Sequence, residues 1–349
     1  MVGLSDSGLP QERFLFEISG VLTILSPEAE IELEDAGLTV FRESFFREDL
    51  MVESDMDVSV VILTKNAGDG FGELLRCLFS QNVHGDYEVI VIDSGSTDRT
   101  IAVARNFPVK MARIRAEEFH HGKTRNLGAE LSSGKIVAYI TQDALPLHDD
   151  WLEKLTEDLR DPGVAMVVGR QIPWHDTKPP EKFFYDYYFP EHRIEVFRGV
   201  SRSYRDSMFI SNVSSAIKRN VWQDLKFSEN MIRGEDKEFA NRVLLAGWKI
   251  VYRPDAAVYH AHDFGLWSLF QTSADIGVAL SQGAGLSMSG NWMAGRLGYY
   301  GQEARYIASG ERWWKWLPYS MLYEASKLSG MAAGWVKSKS LSLLKRSKG

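Results

Sequence analysis

The stretch YEVIVIDSGSTDRT, residues 87–100, decides the fold. Its first seven residues form a nearly continuous apolar run that ends in Asp93, which is typical of a strand buried on both faces of a sheet. The Ser-Thr-Asp sequence that follows is a helix start signal and predicts a helix over 96–107. A buried strand that leads directly into a helix indicates a βαβ unit of a mainly parallel sheet.

The same alternation continues on both sides of this stretch. Buried strands are predicted at 58–64, 110–115, 135–141 and 164–171, and helices at 72–81, 123–132 and 149–161. The segment 172–193 is rich in proline and aromatic residues and predicts an irregular, surface-covering region. Beyond it, we expect a strand and a helix within 209–222, then a helix that ends near Gly247 and two short strands. The predicted fold class is therefore α/β.

The composition excludes several classes of protein. A chain of 349 residues with 44% hydrophobic and 25% charged residues is ordinary for a globular protein. A net charge of −7 argues against nucleic-acid binding, which requires a basic surface. The single cysteine, Cys77, excludes an intrachain disulfide and a cysteine-rich zinc site. Because no signal peptide and no spanning apolar run is visible, we expect a cytoplasmic location.

The two ends of the chain differ in charge. Residues 1–57 carry 14 acidic and 3 basic residues, whereas residues 311–349 carry 8 basic and 2 acidic ones. Short alternating segments within 14–43 predict a small β appendage, which we assign to 1–56. The C-terminal region, 264–349, predicts helices that mix tryptophan, leucine and methionine with lysine, as in a helix that lies on a membrane surface. The alternative is a solvated helix that packs its aromatic residues on the domain.

Polar residues follow the predicted strands at the edge of the sheet where α/β proteins bind ligands. Thr64 and Asn66 follow the first strand, Asp93 ends the second, and Gln142 and Asp143 follow the fourth. No dinucleotide-binding or P-loop glycine pattern is present. An acid at a strand end can accept hydrogen bonds from a nucleobase or a ribose. The alternative is that it only caps the turn.

Three further motifs carry candidate chemistry. FHHGKTRNLG, residues 119–128, places Arg125 and Asn126 near a helix start, where a diphosphate is the natural ligand. Glu235 and Asp236 open another helix. They either complement its dipole or provide a general base for a hydroxyl nucleophile. VYHAH places His260 and His262 on one face of a strand, as a supplement to a metal site.

Together these motifs resemble glycosyltransferase family 2, whose members have the GT-A fold. VSVVILTKN resembles the family's first strand, VIDSGSTDRT its nucleotide segment, TQDALP its D-x-D region and GEDKEFANRVLLAGW its catalytic segment. The resemblance covers Asp57 to Asp263, which we assign as the GT-A domain, 57–263. FHHGKTRNLG, TQDALP and GRQIPW further resemble rhamnosyltransferase-like members.

The resemblance implies a role for each matching residue. Asp236 would be the catalytic base, with Glu235 as its partner, and Asp143 would bind Mg²⁺ or Mn²⁺ with the help of His260. The donor would be held by Thr64, Asn66, Asp93, Arg125, Asn126 and Gln142. Two positions depart from the family pattern, because Ser94 and Thr141 each stand where an acid is usual. One carboxylate is still sufficient for Mg²⁺ or Mn²⁺ if the substrate phosphates supply further ligands.

The expected function is metal-dependent, inverting transfer of a sugar, with rhamnose as the first candidate. The donor would be a nucleotide-diphosphate sugar, and the acceptor a hydroxyl of a growing, lipid-linked glycan. The C-terminal region would contact the inner face of the cytoplasmic membrane. A catalytically inactive sugar-nucleotide-binding or scaffold protein of a glycan-assembly complex is the alternative. A nucleotidyltransferase is a third class, but it calls for a glycine-rich basic loop after the first strand.

Overall fold

The structure is a computed structural model. It describes the backbone of residues 14–18, 21–25, 31–33, 38–41, 56–197, 209–231, 233–281, 292–310 and 313–346. The side chains described are those of 57–197, 209–231, 233–278, 281, 298–310 and 314–340. The predicted α/β class is confirmed, because a mixed and largely parallel sheet carries helices on both faces.

The strands are numbered along the chain, but they lie in a different order in the main sheet. They are β1 (Phe14–Ile18), β2 (Val21–Leu25), β3 (Ile31–Leu33), β4 (Leu38–Phe41), β5 (Met56–Thr64), β6 (Asp86–Asp93), β7 (Lys110–Ile114), β8 (Ile136–Thr141), β9 (Leu145–Pro146), β10 (Val164–Ile172), β11 (Ile194–Val196), β12 (Ser214–Lys218) and β13 (Lys249–Tyr259). The main sheet has the order β11-β13-β10-β12-β8-β5-β6-β7-β4-β3, and β9 pairs with β13. Strands β8, β5, β6 and β7 are mutually parallel, so their carboxyl ends meet at one edge.

The α-helices lie between and after these strands. They are α1 (Phe71–Phe79), α2 (Thr100–Ala104), α3 (His121–Glu130), α4 (Trp151–Thr156), α5 (Pro179–Tyr188), α6 (Arg219–Leu225), α7 (Glu235–Leu245), α8 (Leu266–Ser281), α9 (Trp292–Ala308) and α10 (Trp313–Arg346). Successive residues of β5 face opposite sides of the sheet. Val60 and Ile62 join the core that contains residues of α1 and α4, whereas Val61 joins the core that contains residues of α5 and α7. Both faces are covered, which explains the unbroken apolar runs in the sequence.

Three elements differ from the prediction. Helix α2 begins at Thr100 rather than 96, because Asp98 accepts hydrogen bonds from both the backbone N–H and the hydroxyl of Thr100 and ends the turn there. The segment predicted to be irregular contains α5, whose Phe183, Tyr185 and Tyr188 are buried. The two short strands expected after Gly247 are one strand, β13, with a register shift against β10. Propensity signals were overridden in each case by local capping or by tertiary packing.

The N-terminal segment contains strands, as predicted. β1 and β2 form a hairpin of their own, and β4 pairs antiparallel with β7, which extends the main sheet through β3. The acidic side chains before Asp57 lie outside the side chains that the structure describes. The boundary at residue 56 therefore stays a prediction.

The C-terminal extension is helical, as predicted, and its helices α8 and α10 pack at very short range. A Cβ on Gly334 would overlap the carbonyl oxygen of Ala274, and one on Gly330 would overlap that of Phe270. Glycine at these two positions therefore lets the two backbones touch. None of the helices in the described ranges combines the length and the apolar character needed to cross a bilayer.

Candidate active site

Two buried polar side chains mark the adjacent ends of β5 and β6. Thr64 and Asp93 are partners in the strand register, and Thr64 Oγ1 lies 3.4 Å from Asp93 Oδ1. Asp93 Oδ2 accepts hydrogen bonds from the backbone N–H groups of Gly95 (3.1 Å) and Ser96 (3.0 Å). The carboxylate is thereby oriented, and Oδ1 can accept a further hydrogen bond.

The loop after β5 is tied to both neighbouring strand ends. Asn66 has φ 49°, in the left-handed region that asparagine tolerates, and its Oδ1 accepts a hydrogen bond from the Thr97 N–H at 2.8 Å. The side-chain amide of Gln142 forms two hydrogen bonds with the backbone of Lys65. It accepts from the N–H at 2.8 Å and donates to the carbonyl at 3.1 Å. Both amides therefore brace the loop that would carry the donor.

Ser94 has a similar role at the position where the family that the sequence resembles usually has an acid. Its backbone N–H and its hydroxyl both donate to the carbonyl of Thr64, at 2.8 and 2.9 Å. An aspartate could not donate from its ionised side chain, so it would not make the second bond. The serine thus joins the ends of β5 and β6.

Asp143, His260 and His262 form a cluster that can hold a metal ion. Their candidate ligand atoms all lie within 4.8 Å of one another. Asp143 Oδ1 is 3.7 Å from His260 Nε2, and Asp143 Oδ2 is 3.7 Å from His262 Nδ1. The sheet brings them together, because β9 follows Asp143 and pairs with the end of β13, directly before the histidines.

His260 is held in the orientation that metal ligation requires. It is buried, and its Nδ1 lies 2.9 Å from Gln171 Oε1 and 3.4 Å from the Tyr185 hydroxyl. Because the Gln171 oxygen can only accept, Nδ1 carries a hydrogen, and Nε2 is the nitrogen that faces Asp143. Burial by itself would raise the pKa of Asp143, but the hydrogen bond and charge of His260, with Thr141 and His262, bring that pKa well below its usual range.

The donor set fits a divalent transition-metal ion. One carboxylate oxygen and two imidazole nitrogens leave coordination positions for water and for substrate phosphates. Mg²⁺ prefers oxygen ligands, whereas Mn²⁺ also accepts imidazole nitrogen.

Arg125 and Glu235 form a buried ion pair between α3 and α7. Arg125 is 8% and Glu235 5% exposed, and a guanidinium N–H of Arg125 donates to Glu235 Oε1. Burial raises the pKa of Glu235, against the opposing charge of Arg125. The sequence assigned these residues separately, one to the donor and one to catalysis. The structure brings them together as partners.

Asn126 is engaged entirely by the protein. Its Nδ2 donates to the Phe227 carbonyl and to Glu229 Oε1, both at 3.0 Å. Its Oδ1 accepts from Trp222 Nε1 at 3.1 Å and from the Phe227 N–H at 2.9 Å. These four bonds use the full capacity of an amide. The structure therefore gives Asn126 a bracing contact rather than a free polar group.

Asp236 lies in the first turn of α7, directly after Gly234, whose φ is +85°. Its Oδ1 accepts a hydrogen bond from the Lys237 N–H at 2.7 Å. His121 is electrostatically linked to it. Burial, with the charges of Arg125 and Arg233, lowers the pKa of His121 to about 4, against the opposing effect of Asp236. His121 is therefore neutral at physiological pH.

A pocket of about 370 Å³ opens beside Asp143. Asn66 and Gln142 line it on the side of the braced loop, and Trp174 lines it on the other. The indole of Trp174 is stacked on the Tyr259 ring, with 5.0 Å between the ring centroids and 19° between the planes. Of the candidate donor residues, Asn66 and Gln142 thus share one concave surface with the candidate metal ligand Asp143.

Several supporting residues were not predicted from the sequence. His262 was recognised as a neighbour of His260 but was not assigned as a ligand. Gln171 and Trp174 lie within GRQIPW, a motif that marked the family but not their contacts. Tyr185 lies in the segment that was predicted to be irregular, so no signal pointed to it.

The comparisons with known proteins agree with this geometry. The family model described as Glycosyl transferase family 2 matches residues 59–225. The O-antigen chain rhamnosyltransferase RfbN of Salmonella typhimurium is 31% identical over 227 residues, which are 64% of this chain and 72% of the relative. The chain belongs to glycosyl transferase family 2. It is therefore a glycosyltransferase, as the sequence predicted.

Solved structures confirm the GT-A fold of this family 2 glycosyltransferase. The mannosyltransferase PcManGT from Pyrobaculum calidifontis, in complex with GDP-Man and Mn²⁺, superposes with a TM-score of 0.52 at 18% identity, covering 80% of this chain and 86% of that one. Staphylococcus aureus TarS in complex with UDP-GlcNAc gives a TM-score of 0.51 at 17% identity, covering 82% and 92%. At these identities the similarity concerns the fold alone.

Proposed function

We propose that this glycosyltransferase moves a sugar, with rhamnose as the first candidate, from a nucleoside diphosphate sugar to a hydroxyl of a growing glycan. The rhamnosyltransferase RfbN, named for the O-antigen chain, supports the sugar and the type of acceptor. The GDP-Man and UDP-GlcNAc complexes of the two structural neighbours support the class of donor. Localisation at the inner face of the cytoplasmic membrane is part of the same proposal.

On the donor side, Asp93 Oδ1, which already accepts from the Thr64 hydroxyl at 3.4 Å, would accept a second hydrogen bond from the base or ribose, beside Asn66. Arg125 would contribute positive charge toward the diphosphate from the N–H groups that do not face Glu235. Asn126 and Gln142 would act indirectly, because their amides brace α3 and the loop after β5. The binding surface is thus held open before the donor arrives.

The Asp143–His260–His262 cluster is the observation that carries the proposal. A divalent cation held there would neutralise negative charge on the diphosphate leaving group. Gln171 and Tyr185 keep the His260 ring in its ligating orientation. One carboxylate and two imidazoles within 4.8 Å of one another are more than a strand-end turn requires, and the Mn²⁺ complex of PcManGT supports a divalent cation.

Asp236 is proposed as the general base. It would take the proton of the acceptor hydroxyl as the acceptor oxygen bonds to the anomeric carbon and the bond to the diphosphate oxygen breaks. A single displacement of this kind inverts the anomeric configuration. Glu235 would position Arg125 rather than handle the proton, because its carboxylate is committed to that guanidinium.

The acceptor is proposed to be lipid-linked, with α10 lying on the membrane surface. Helix α10 exposes large apolar side chains in two groups, which are Trp314, Met321 and Leu322 in its first part and Trp335 and Val336 further on. Lysines 315, 337 and 339 lie close to these residues in the helix and would contact anionic headgroups. We therefore keep 1–56, 57–263 and 264–349 as proposed units, with the last one bearing the membrane contact.

The test is a transfer assay with the purified chain and a panel of nucleoside diphosphate sugars that includes dTDP-rhamnose. Released nucleoside diphosphate is measured with a lipid-linked glycan acceptor in Mn²⁺, in Mg²⁺ and in EDTA. We expect turnover with Mn²⁺, less with Mg²⁺, and none in EDTA. Asp236→Asn should abolish transfer and keep donor binding, whereas the surface control Asp224→Asn should match the wild type.

The outcomes separate the parts of the proposal. Full activity in EDTA rejects the cation, and full activity of Asp236→Asn rejects the base. Donor binding without transfer or hydrolysis, whatever the acceptor, favours the inactive scaffold. The membrane contact is tested by co-sedimentation with anionic vesicles. Recovery of the whole protein in the supernatant at low salt would reject it.

A further inference from the structure

The contacts behind His260 continue away from the pocket into the C-terminal helices. The Tyr185 hydroxyl, on α5, lies 3.4 Å from His260 Nδ1, and the two rings meet edge to face with centroids 6.3 Å apart. Tyr185 and His260 are both 4% exposed. Two groups, the Tyr185 hydroxyl and Gln171 Oε1, contact His260 Nδ1. The position of α5 therefore determines where the first of them lies.

One turn earlier, α5 is held by α10. Glu181 lies four residues before Tyr185 and so shares its side of the helix. Its Oε2 accepts a hydrogen bond from the Tyr323 hydroxyl at 2.6 Å, and both residues are buried. Burial raises the pKa of Glu181, because the protein interior solvates a carboxylate poorly. The hydrogen bond from Tyr323 therefore replaces part of the hydration that this buried carboxyl group has lost.

The charged and aromatic groups around Tyr323 restrict how α5 and α10 can pack on each other at the hydrogen bond to Glu181. Lys327 Nζ lies 5.1 Å from the Tyr323 ring centroid, 5.4 Å from that of Phe184 and 5.9 Å from that of Tyr299. It also pairs with Glu324 at 2.7 Å. Apolar contacts alone tolerate sliding of one helix on another, whereas a buried set of charges and hydroxyls has one satisfied arrangement.

We propose that Tyr323 is a positioning residue for the metal-binding histidine and acts on it through α5. The hydrogen bond to Glu181 sets the position of α5, α5 carries Tyr185, and Tyr185 with Gln171 holds the His260 ring. The C-terminal helix would thereby be part of the catalytic domain's metal site and not only a membrane contact. The inference rests on the proposed cation site.

The test measures Mn²⁺ binding by the full chain without donor, from the free-ion EPR signal. We expect Tyr323→Phe to weaken Mn²⁺ affinity by about tenfold, at the low end of the roughly 10–100-fold losses that follow removal of partners behind a metal ligand. Tyr87→Phe is the matched control. Tyr87 is a partly buried tyrosine whose hydroxyl donates to the Leu78 carbonyl at 2.9 Å, so its hydrogen bond joins β6 to α1 and involves neither α5 nor α10. His260→Ala reports whether the ion uses the cluster at all.

Each outcome decides one point. If the wild type binds no Mn²⁺, or His260→Ala binds it like the wild type, the proposed cation site fails and the inference fails with it. If His260→Ala loses binding but Tyr323→Phe does not, only the inference is refuted. Equal losses in both tyrosine variants indicate general destabilisation and also refute it. Should Tyr323→Phe not fold, Glu181→Gln, which keeps an acceptor oxygen, must bind Mn²⁺ more tightly than Glu181→Leu.

Discussion

The buried ion pair of Arg125 and Glu235 leads to a quantitative prediction about stability and function. Both side chains are less than a tenth exposed, so removing either partner leaves the other charged and desolvated. Such a loss costs about 3–5 kcal/mol, whereas replacing both partners by apolar residues of similar size is often close to neutral. We therefore expect Arg125→Met and Glu235→Met each to destabilise the chain strongly, and the double variant to recover most of the loss.

The stabilities of the two single variants should depend differently on pH. Arg125 cannot lose its proton, so Glu235→Met leaves a permanent buried charge. In Arg125→Met, the remaining carboxyl can take up a proton, because burial raises its pKa. A raised folded-state pKa favours the protonated folded protein, so the penalty of Arg125→Met should be smaller at pH 5 than at pH 8.

Urea denaturation, followed by circular dichroism at pH 5 and pH 8, measures the free energy of unfolding of the wild type, the two single variants and the double variant. The coupling energy of the double-mutant cycle should exceed about 2 kcal/mol in magnitude. Single losses under about 1 kcal/mol, or a double loss equal to the sum of the singles, would refute the buried-pair reasoning. The folded double variant also tests function, since it should bind donor more weakly if Arg125 meets the diphosphate.

Three further predictions concern residues outside this pair. Asn126→Ala should lower the free energy of unfolding by about 2–4 kcal/mol because four buried hydrogen bonds are lost, and an unchanged urea midpoint contradicts this. Burial would raise the pKa of Glu88, but its bonds to a lysine and two serines lower it. The wild type should therefore lose more stability than Glu88→Gln as the pH falls below 4.5, and parallel pH profiles would argue against this. Gly334→Ala should cost about 1–3 kcal/mol by forcing α10 away from Ala274, whereas the open Gly301→Ala should be neutral or stabilising; equal melting temperatures for the two would exclude the close contact.

The site residues illustrate how far sequence reasoning reaches. Asp143 and His260 were paired from a motif, and the structure brings them to within 3.7 Å of each other. Asn126 and Gln142 were assigned to the donor because of their residue type and position. Their contact with a donor stays a prediction. In the structure their amides bind protein groups, and no one-dimensional pattern reveals such bonds to a neighbouring backbone.

The aromatic segment after Gln171 is a case in which the sequence-based prediction was wrong. Proline and tyrosine after Gln171 indicated an irregular surface region, but α5 forms there because its rings fill the space between the sheet and the C-terminal helices. Packing of this kind comes from partners more than 100 residues away in the chain, such as Tyr323. Local propensity contains no information about them.

By itself, the sequence determined the α/β class, the positions of the central strands along the chain and the sheet edge at which the candidate site lies. Periodicity and strand-end chemistry are local properties that survive in any arrangement of the chain. The tertiary structure alone decided that His262 joins the cluster, that Arg125 pairs with Glu235, and that α10 reaches behind His260 through α5. These contacts depend on strand register and helix packing, which bring distant residues within hydrogen-bonding range only after the chain has folded.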